Sequence, residues 1–169
     1  MRGDSNRHCI ALGDAGNVSV QTDNIQTVAI IGAGPGGFRL VANLGLRGYR
    51  LRLNDIIDAK LAAIRARGGI EVEGTPGGFA PLELATTDLR AAVDGAELII
   101  VVSGGNTQPF VARALAPLLV DGQTILLIQG NTGGSLIVRR ELDCAGCRAD
   151  IGIAETDTYP YAMRSVRRP

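Results

Sequence analysis

The chain contains no tryptophan, and aromatic residues make up only 4% of its 169 positions. A hydrophobic core must therefore consist mainly of aliphatic side chains, which the hydrophobic content of 46% can supply. An excess of charge of either sign is also missing, because 17 basic and 17 acidic residues give a formal net charge of zero. A neutral chain offers no electrostatic footprint for nucleic acid or for an anionic membrane surface, so we expect neither as a partner.

Cysteine and histidine are scarce, and long apolar runs are missing. Three cysteines (Cys9, Cys144 and Cys147) are too few and too odd in number for a disulfide framework. The Cys144-x-x-Cys147 pair lacks the second pair of ligands that a zinc site needs, so no metal is predicted. No apolar run reaches the roughly 18–20 residues that span a bilayer, and the first 26 residues contain no apolar signal segment. These absences predict a cytoplasmic protein with no membrane partner.

Glycine, by contrast, is abundant, with 23 residues, about twice the average share of roughly 7%. Residues 1–26 are polar and lack sustained periodicity, which predicts a flexible leader. The length and patterning of residues 27–165 predict a single domain, and residues 166–169 are interpreted as the start of a linker.

Apolar β-rich runs alternate with segments of helical spacing along this domain. Residues 27–31, 98–102 and 124–128 are predicted to be strands buried on both faces of a sheet. Residues 70–73 and 79–84 are predicted to be short and extended around a Gly/Pro turn. The alternation predicts an α/β fold: a doubly wound, Rossmann-type, mostly parallel sheet with helices on both faces.

A glycine-rich segment at 32–37 lies between the first predicted strand and the first predicted helix and contains the G-x-G-x-x-G spacing. Gly32 permits the tight turn, Gly34 lets a pyrophosphate approach the backbone, and Gly37 lets the helix pack close to the strand. The first turn of the helix then presents unpaired N–H groups to the phosphates. The predicted cofactor-binding residues of this segment are Gly32, Gly34, Pro35, Gly36 and Gly37.

An acidic residue at the end of a further predicted strand, residues 49–53, predicts which dinucleotide is bound. Asp55 lies 18 positions after Gly37, close to the spacing of about 20 that is typical of this motif. Its carboxylate can accept hydrogen bonds from both hydroxyls of the adenosine ribose and would repel a 2′-phosphate. NAD is therefore the predicted cofactor, and NADP is less favoured.

Two further loops follow predicted strands at the edge where open α/β sheets bind ligands. Ser103 follows Val102, and Asn131 lies in the loop after Ile128. Both are predicted to face the nicotinamide ribose and ring, and the alternative is that these loops only form turns. Glu155 follows a last strand that is predicted at residues 150–154. Its role is open between ordering the nicotinamide ribose or a substrate group and supporting the fold.

The run VAIIGAGPGGFRLVANLGLRGYRLRLND, from Val28 to Asp55, resembles the start of octopine and other opine dehydrogenases. Further matching pieces lie at 69–74, 130–134, 154–156 and 160–161. The resemblance covers about residues 27–165 and implies the N-terminal NAD-binding domain of such an oxidoreductase, which acts on CH–NH groups. It also implies two small-molecule partners, an amino acid and a 2-keto acid, which condense to an imine that is reduced by a hydride from NAD(P)H.

In the family that the chain resembles, a second, helical domain supplies a catalytic His–Asp pair and most of the substrate pocket. The only histidine here is His8, in the predicted leader, so the catalytic residues are unknown and this chain alone is expected to be inactive. The chain is interpreted as either a fragment of a longer product or a free-standing cofactor domain. Two other functions stay open: a non-catalytic dinucleotide-binding or sensing module, and another reductase, such as one similar to ketopantoate reductase. A homodimer is also left open.

Overall fold

A computed structural model describes residues 25–73, 77–130 and 133–160. Most of the predicted leader and the whole of the predicted linker lie outside these residues. Its strands are β1 (Thr27–Ile31), β2 (Arg50–Asn54), β3 (Gly69–Val72), β4 (Gly78–Pro81), β5 (Leu84–Thr86), β6 (Leu98–Val101), β7 (Thr124–Leu127) and β8 (Gly152–Glu155). Its helices are α1 (Pro35–Gly45), α2 (Asp58–Arg67), α3 (Leu89–Val93), α4 (Gln108–Leu115) and α5 (Gly134–Cys144).

Six strands form one sheet in the order β5-β2-β1-β6-β7-β8, and every neighbouring pair in it is parallel. The chain builds one half from β1 outward through β2 to β5, then crosses to β6 and continues through β7 to β8. β1 and β6 are therefore neighbours from different halves, and the crevice at their carboxyl ends is where sheets of this kind bind ligands. The strand order confirms the predicted doubly wound, Rossmann-type fold.

Alternate residues of β1 serve two separate cores, because successive side chains of a strand point to opposite faces. Val28 and Ile30 pack in a cluster with buried residues of α1 and α2. Ala29 and Ile31 pack in a second cluster with buried residues of α4 and α5. All five residues of β1 are buried, as a central strand covered by helices on both faces requires. The sheet thus holds the carboxyl end of β1 in a fixed position.

The two segments that were predicted to be extended, 70–73 and 79–84, lie between α2 and α3. The second does not form a single strand, because its two ends belong to different sheets. β3 and β4 pair with each other as an antiparallel hairpin apart from the main sheet. Residues 84–86 form β5, which pairs with β2 at the edge of the main sheet. Strands of three or four residues carry too little periodicity for the sequence to distinguish these two destinations.

Within residues 25–73, 77–130 and 133–160, no helix has the length and hydropathy that a membrane crossing requires. The same residues contain no group of three or more His, Cys, Asp or Glu side chains arranged to hold a metal ion. Cys144 is exposed at the end of α5, Cys147 is half-buried against the α4–α5 core, and both are free thiols.

Candidate cofactor-binding site

The turn from β1 into α1 requires glycine at two positions where backbones approach closely. Gly32 has a φ of +119°, and a Cβ there would lie 2.4 Å from the carbonyl oxygen of Val102. A Cβ on Gly37 would lie 1.9 Å from the carbonyl oxygen of Gly32. Both clashes are with backbone atoms, which cannot rotate away. These glycines therefore hold the end of β1, the start of α1 and the end of β6 against one another.

Gly34 differs from both, because a Cβ there would meet nothing within 4 Å. It is the N-cap of α1 in an extended conformation, with φ −95° and ψ −176°, and no side chain caps this helix end. The first turn begins with Pro35, which has no N–H, and contains no acidic residue. Backbone N–H groups at such a helix end attract anions, and no protein atom lies within 4 Å of the Cβ position of Gly34 to keep a ligand away.

Asp55 lies directly after β2 and is bound to the glycine-rich turn. Its Oδ2 accepts a hydrogen bond of 2.8 Å from the N–H of Ala33, and its Oδ1 accepts one of 2.9 Å from the N–H of Ile57. The Asp55 side chain is only 8% exposed, and Lys60 Nζ lies 3.0 Å from its Oδ2. The carboxylate is thus held beside the helix end, at the position predicted for a ribose-binding acid.

Opposing effects act on the ionisation of Asp55. Burial alone would raise the pKa of this carboxyl, but hydrogen bonds from Ile57, Lys60 and Ala33 outweigh it and leave the pKa below its ordinary value. Asp55 is therefore ionised at neutral pH. A negative oxygen is a better acceptor than a neutral one for a pair of ribose hydroxyls.

Ser103 lies one residue after Val102, at the β6 side of the same crevice. Its hydroxyl oxygen is buried and has no hydrogen-bond partner among the residues that the structure describes. Leaving a buried hydroxyl unsatisfied costs about 1–3 kcal/mol, so a ligand group that bonded it would recover that free energy. The other predicted loop residue, Asn131, lies outside the described residues.

Glu155 is the last residue of β8, and its carboxylate is bonded to the start of α5. Its Oε1 accepts a hydrogen bond of 3.0 Å from the N–H of Gly133, and its Oε2 accepts one of 2.6 Å from the N–H of Ser135. These two bonds hold the pKa of Glu155 below its ordinary value. Of the two roles left open by the sequence, the contacts of this carboxylate are those of a helix cap that ties α5 to the sheet.

We expect replacement of Glu155 by glutamine to lower the melting temperature by a few degrees near neutral pH, because an amide can satisfy only one of the two N–H groups. Since the folded pKa is depressed, the stabilisation from Glu155 is present above its ordinary pKa and is lost as the pH falls through the folded value. Melting curves of both proteins between about pH 7 and pH 3 should converge at the acidic end. A constant difference across that range would contradict the assignment.

Sequence reasoning missed two residues around the crevice, Lys60 and Tyr159, and the backbone conformation of a third, Gln129, in a loop that it expected to face the ligand. Lys60 belongs to no motif in the sequence, and its contact with Asp55 depends on how α2 packs. The ring of Tyr159 lies so close to α1 that a Cβ on Gly36 would be 2.6 Å from its Cε1 atom. Gln129 follows β7 with a φ of 57°, a left-handed conformation that glycine adopts more easily than other residues. A tertiary contact or a single backbone angle leaves no local pattern by which it could have been predicted.

No protein-family model matches the chain. In sequence it is similar to an opine dehydrogenase from Arthrobacter sp. (strain 1C), with 35% identity over 144 residues that cover 84% of this chain and 40% of that enzyme. In fold it is similar to an octopine dehydrogenase solved with NADH and pyruvate, with a TM-score of 0.67, 21% identity, and coverage of 80% of this chain and 37% of that one. Yersinopine dehydrogenase in its apo form gives a TM-score of 0.63 at 20% identity, covering 80% of this chain and 35% of that one.

The matched part of the chain thus spans only 40% of the length of this opine dehydrogenase. A glycerol-3-phosphate dehydrogenase from Coxiella burnetii also shares the fold, with a TM-score of 0.57 at 23% identity, and covers 76% of this chain and 40% of that one. At these identities the solved structures establish the fold. The sequence match adds the relationship to an opine dehydrogenase.

Proposed function

We propose that this chain binds NAD(H) as the cofactor domain of an opine-dehydrogenase-type oxidoreductase. The premise is that its sequence is similar to that of an opine dehydrogenase and its fold to that of the octopine dehydrogenases. The observation that carries the proposal is the start of α1 at Gly34. No side chain caps this helix end, and a Cβ on Gly34 would meet no atom within 4 Å. A helix end of this kind suits a pyrophosphate, which is the part common to all dinucleotide cofactors.

The proposal assigns a part of the cofactor to each side of the crevice. Residues 34–37 would hold the pyrophosphate through their backbone, and Asp55 would accept the hydroxyls of the adenosine ribose. Ser103 and Asn131 would lie toward the nicotinamide ribose, because they follow strands in the other half of the sheet. When bound, NADH supplies the hydride that reduces an imine formed from an amino acid and a 2-keto acid.

The two carboxylates at the crevice, Asp55 and Glu155, would therefore bind and orient rather than donate protons. Asp55 is occupied by two backbone N–H groups and Lys60, and Glu155 is occupied by the N–H groups of Gly133 and Ser135. A general acid needs a proton to give at neutral pH, and both carboxyls have lowered pKa values. The catalytic acid of the whole enzyme is not assigned to either residue.

Calorimetric titration with NADH and NADPH tests the proposal, and the Asp55→Ala variant tests the assigned residue. We expect NADH to bind more tightly than NADPH, and Asp55→Ala to weaken NADH binding by about 1–3 kcal/mol, or roughly 5- to 150-fold, because ribose hydroxyls lose their acceptor. Asp55→Asn, which keeps one acceptor oxygen and the side-chain volume, should weaken NADH less.

Asp58→Ala is the matched control, because it removes the same charge three positions away. The Asp58 side chain is 65% exposed and pairs with Arg65 rather than with the glycine-rich turn. It should leave NADH affinity unchanged. Undetectable binding of either dinucleotide to the wild-type chain would refute the proposed function, whereas tighter NADPH binding would refute the role given to Asp55.

A further inference from the structure

The carboxylate of Asp55 is shared between two backbone N–H groups and the ammonium group of Lys60. Two carboxylate oxygens offer about four acceptor positions. One on each oxygen is taken by the backbone, through Ala33 and Ile57. Lys60 Nζ lies 3.0 Å from Oδ2 and 3.3 Å from Oδ1, so one ammonium group bridges both oxygens, and a ribose hydroxyl that bonds the carboxylate must do so beside this group or in its place.

Lys60 also lies on the solvent side of this pair. Its side chain is 41% exposed, whereas that of Asp55 is 8% exposed. It is the third residue of α2, and its backbone N–H is bonded to the carbonyl of Ile57 at 3.1 Å, which holds its backbone in the first turn of the helix. A ribose that approaches Asp55 from solvent would therefore meet the ammonium group first.

The pair changes the electrostatic argument for cofactor choice. A lone carboxylate repels a 2′-phosphate, but Asp55 and Lys60 together carry no net charge. We propose that Lys60 is the residue that determines cofactor specificity at this site: its ammonium group offsets the charge of Asp55 and pairs with a 2′-phosphate, so NADPH binds only modestly more weakly than NADH. This inference rests on the proposed function, since it concerns the same dinucleotide site.

Arg52, a cation of β2 two residues before its end, is held elsewhere. Its guanidinium bonds Glu83 Oε1 at 2.9 and 3.1 Å and also donates to the carbonyl oxygens of Ala91 and Asp94. A phosphate could recruit Arg52 only by breaking several of these bonds. Lys60 has to give up only its bond to Asp55, and it can keep that contact while it also meets a phosphate.

Calorimetric titration of the wild-type chain, Lys60→Gln and Lys60→Arg with NADH and with NADPH tests the inference. We expect Lys60→Gln to weaken NADPH binding about tenfold and to leave NADH affinity within about twofold or slightly tighter, because only the phosphate loses a charged partner. Lys60→Arg should retain NADPH binding. The NADPH affinity of the wild type should also fall more steeply with added salt than that of Lys60→Gln.

Arg67→Gln is the control, because it removes the same charge from the exposed end of α2, about 10 Å along the helix. It should leave the ratio of NADH to NADPH affinity at the wild-type value. If Lys60 only held Asp55 in place, Lys60→Gln would weaken both dinucleotides alike, and that result, or an unchanged ratio, overturns the inference while leaving the proposed function intact. Failure of the wild-type chain to bind either dinucleotide would overturn both.

Discussion

Replacing Gly37 with alanine is expected to destabilise the fold by about 3 kcal/mol, at the upper end of what overpacking usually costs. The added Cβ would lie 1.9 Å from the carbonyl oxygen of Gly32, and neither atom belongs to a side chain that can rotate away. Relief requires α1 to move off β1, where Val41 and Ile30 are fully buried in the same hydrophobic cluster. Thermal unfolding followed by circular dichroism should show a melting temperature lower by about 10 °C.

Gly34→Ala is the control for this experiment, because it adds the same methyl group three residues earlier. Its Cβ meets nothing within 4 Å and its backbone angles suit any residue, so we expect a melting temperature close to that of the wild type. Equal melting temperatures for Gly37→Ala and Gly34→Ala would show that α1 does not approach β1 as closely as described.

Replacing Gly34 with valine is expected to abolish dinucleotide binding without unfolding the protein. The branched side chain would fill the open space at the start of α1 and keep a pyrophosphate away from the N–H groups of the first turn. Loss of two or more charge-assisted hydrogen bonds predicts at least about a 100-fold weaker affinity for NADH. Calorimetry measures the affinity, and a melting curve of the same sample shows that the fold is intact.

The pair Gly34→Val and Gly37→Ala separates two uses of glycine within one motif. The first should lose binding and keep stability, and the second should lose stability. Wild-type affinity for NADH in the folded Gly34→Val protein would mean that the glycine-rich turn serves only the packing of α1 on β1.

The sequence predicted most of the fold because the central strands are long enough to carry a pattern. Residues 27–31 are apolar at successive positions, which is typical of a strand covered on both faces, and the structure confirms it. Three of the four glycines of the turn, Gly32, Gly34 and Gly37, were predicted with their roles because each role follows from the absence of a Cβ. The contacts at Gly32 and Gly37 confirm the close approach of backbones there.

The remaining features depend on contacts between residues far apart in sequence. The capping of α5 by Glu155 joins positions that are 20 and 22 residues apart, and nothing local to Glu155 distinguishes a helix cap from a ligand-binding acid. Lys60 is five positions from Asp55, but whether a lysine in α2 turns toward that carboxylate depends on the path of the chain between them. Sequence patterns therefore predict which residues have suitable chemistry, whereas the tertiary structure determines which of these side chains come into contact.

The central claim is that the crevice between β1 and β6 binds a dinucleotide, and titration of ¹⁵N-labelled protein with NADH, followed by amide NMR spectra, tests it most directly. We expect the largest shifts at the amides of Gly34, Gly36 and Gly37, with further changes at Ala33 and Ser103, and small ones on the β3–β4 hairpin. Unchanged spectra at saturating NADH, or changes confined to that hairpin, would contradict the claim.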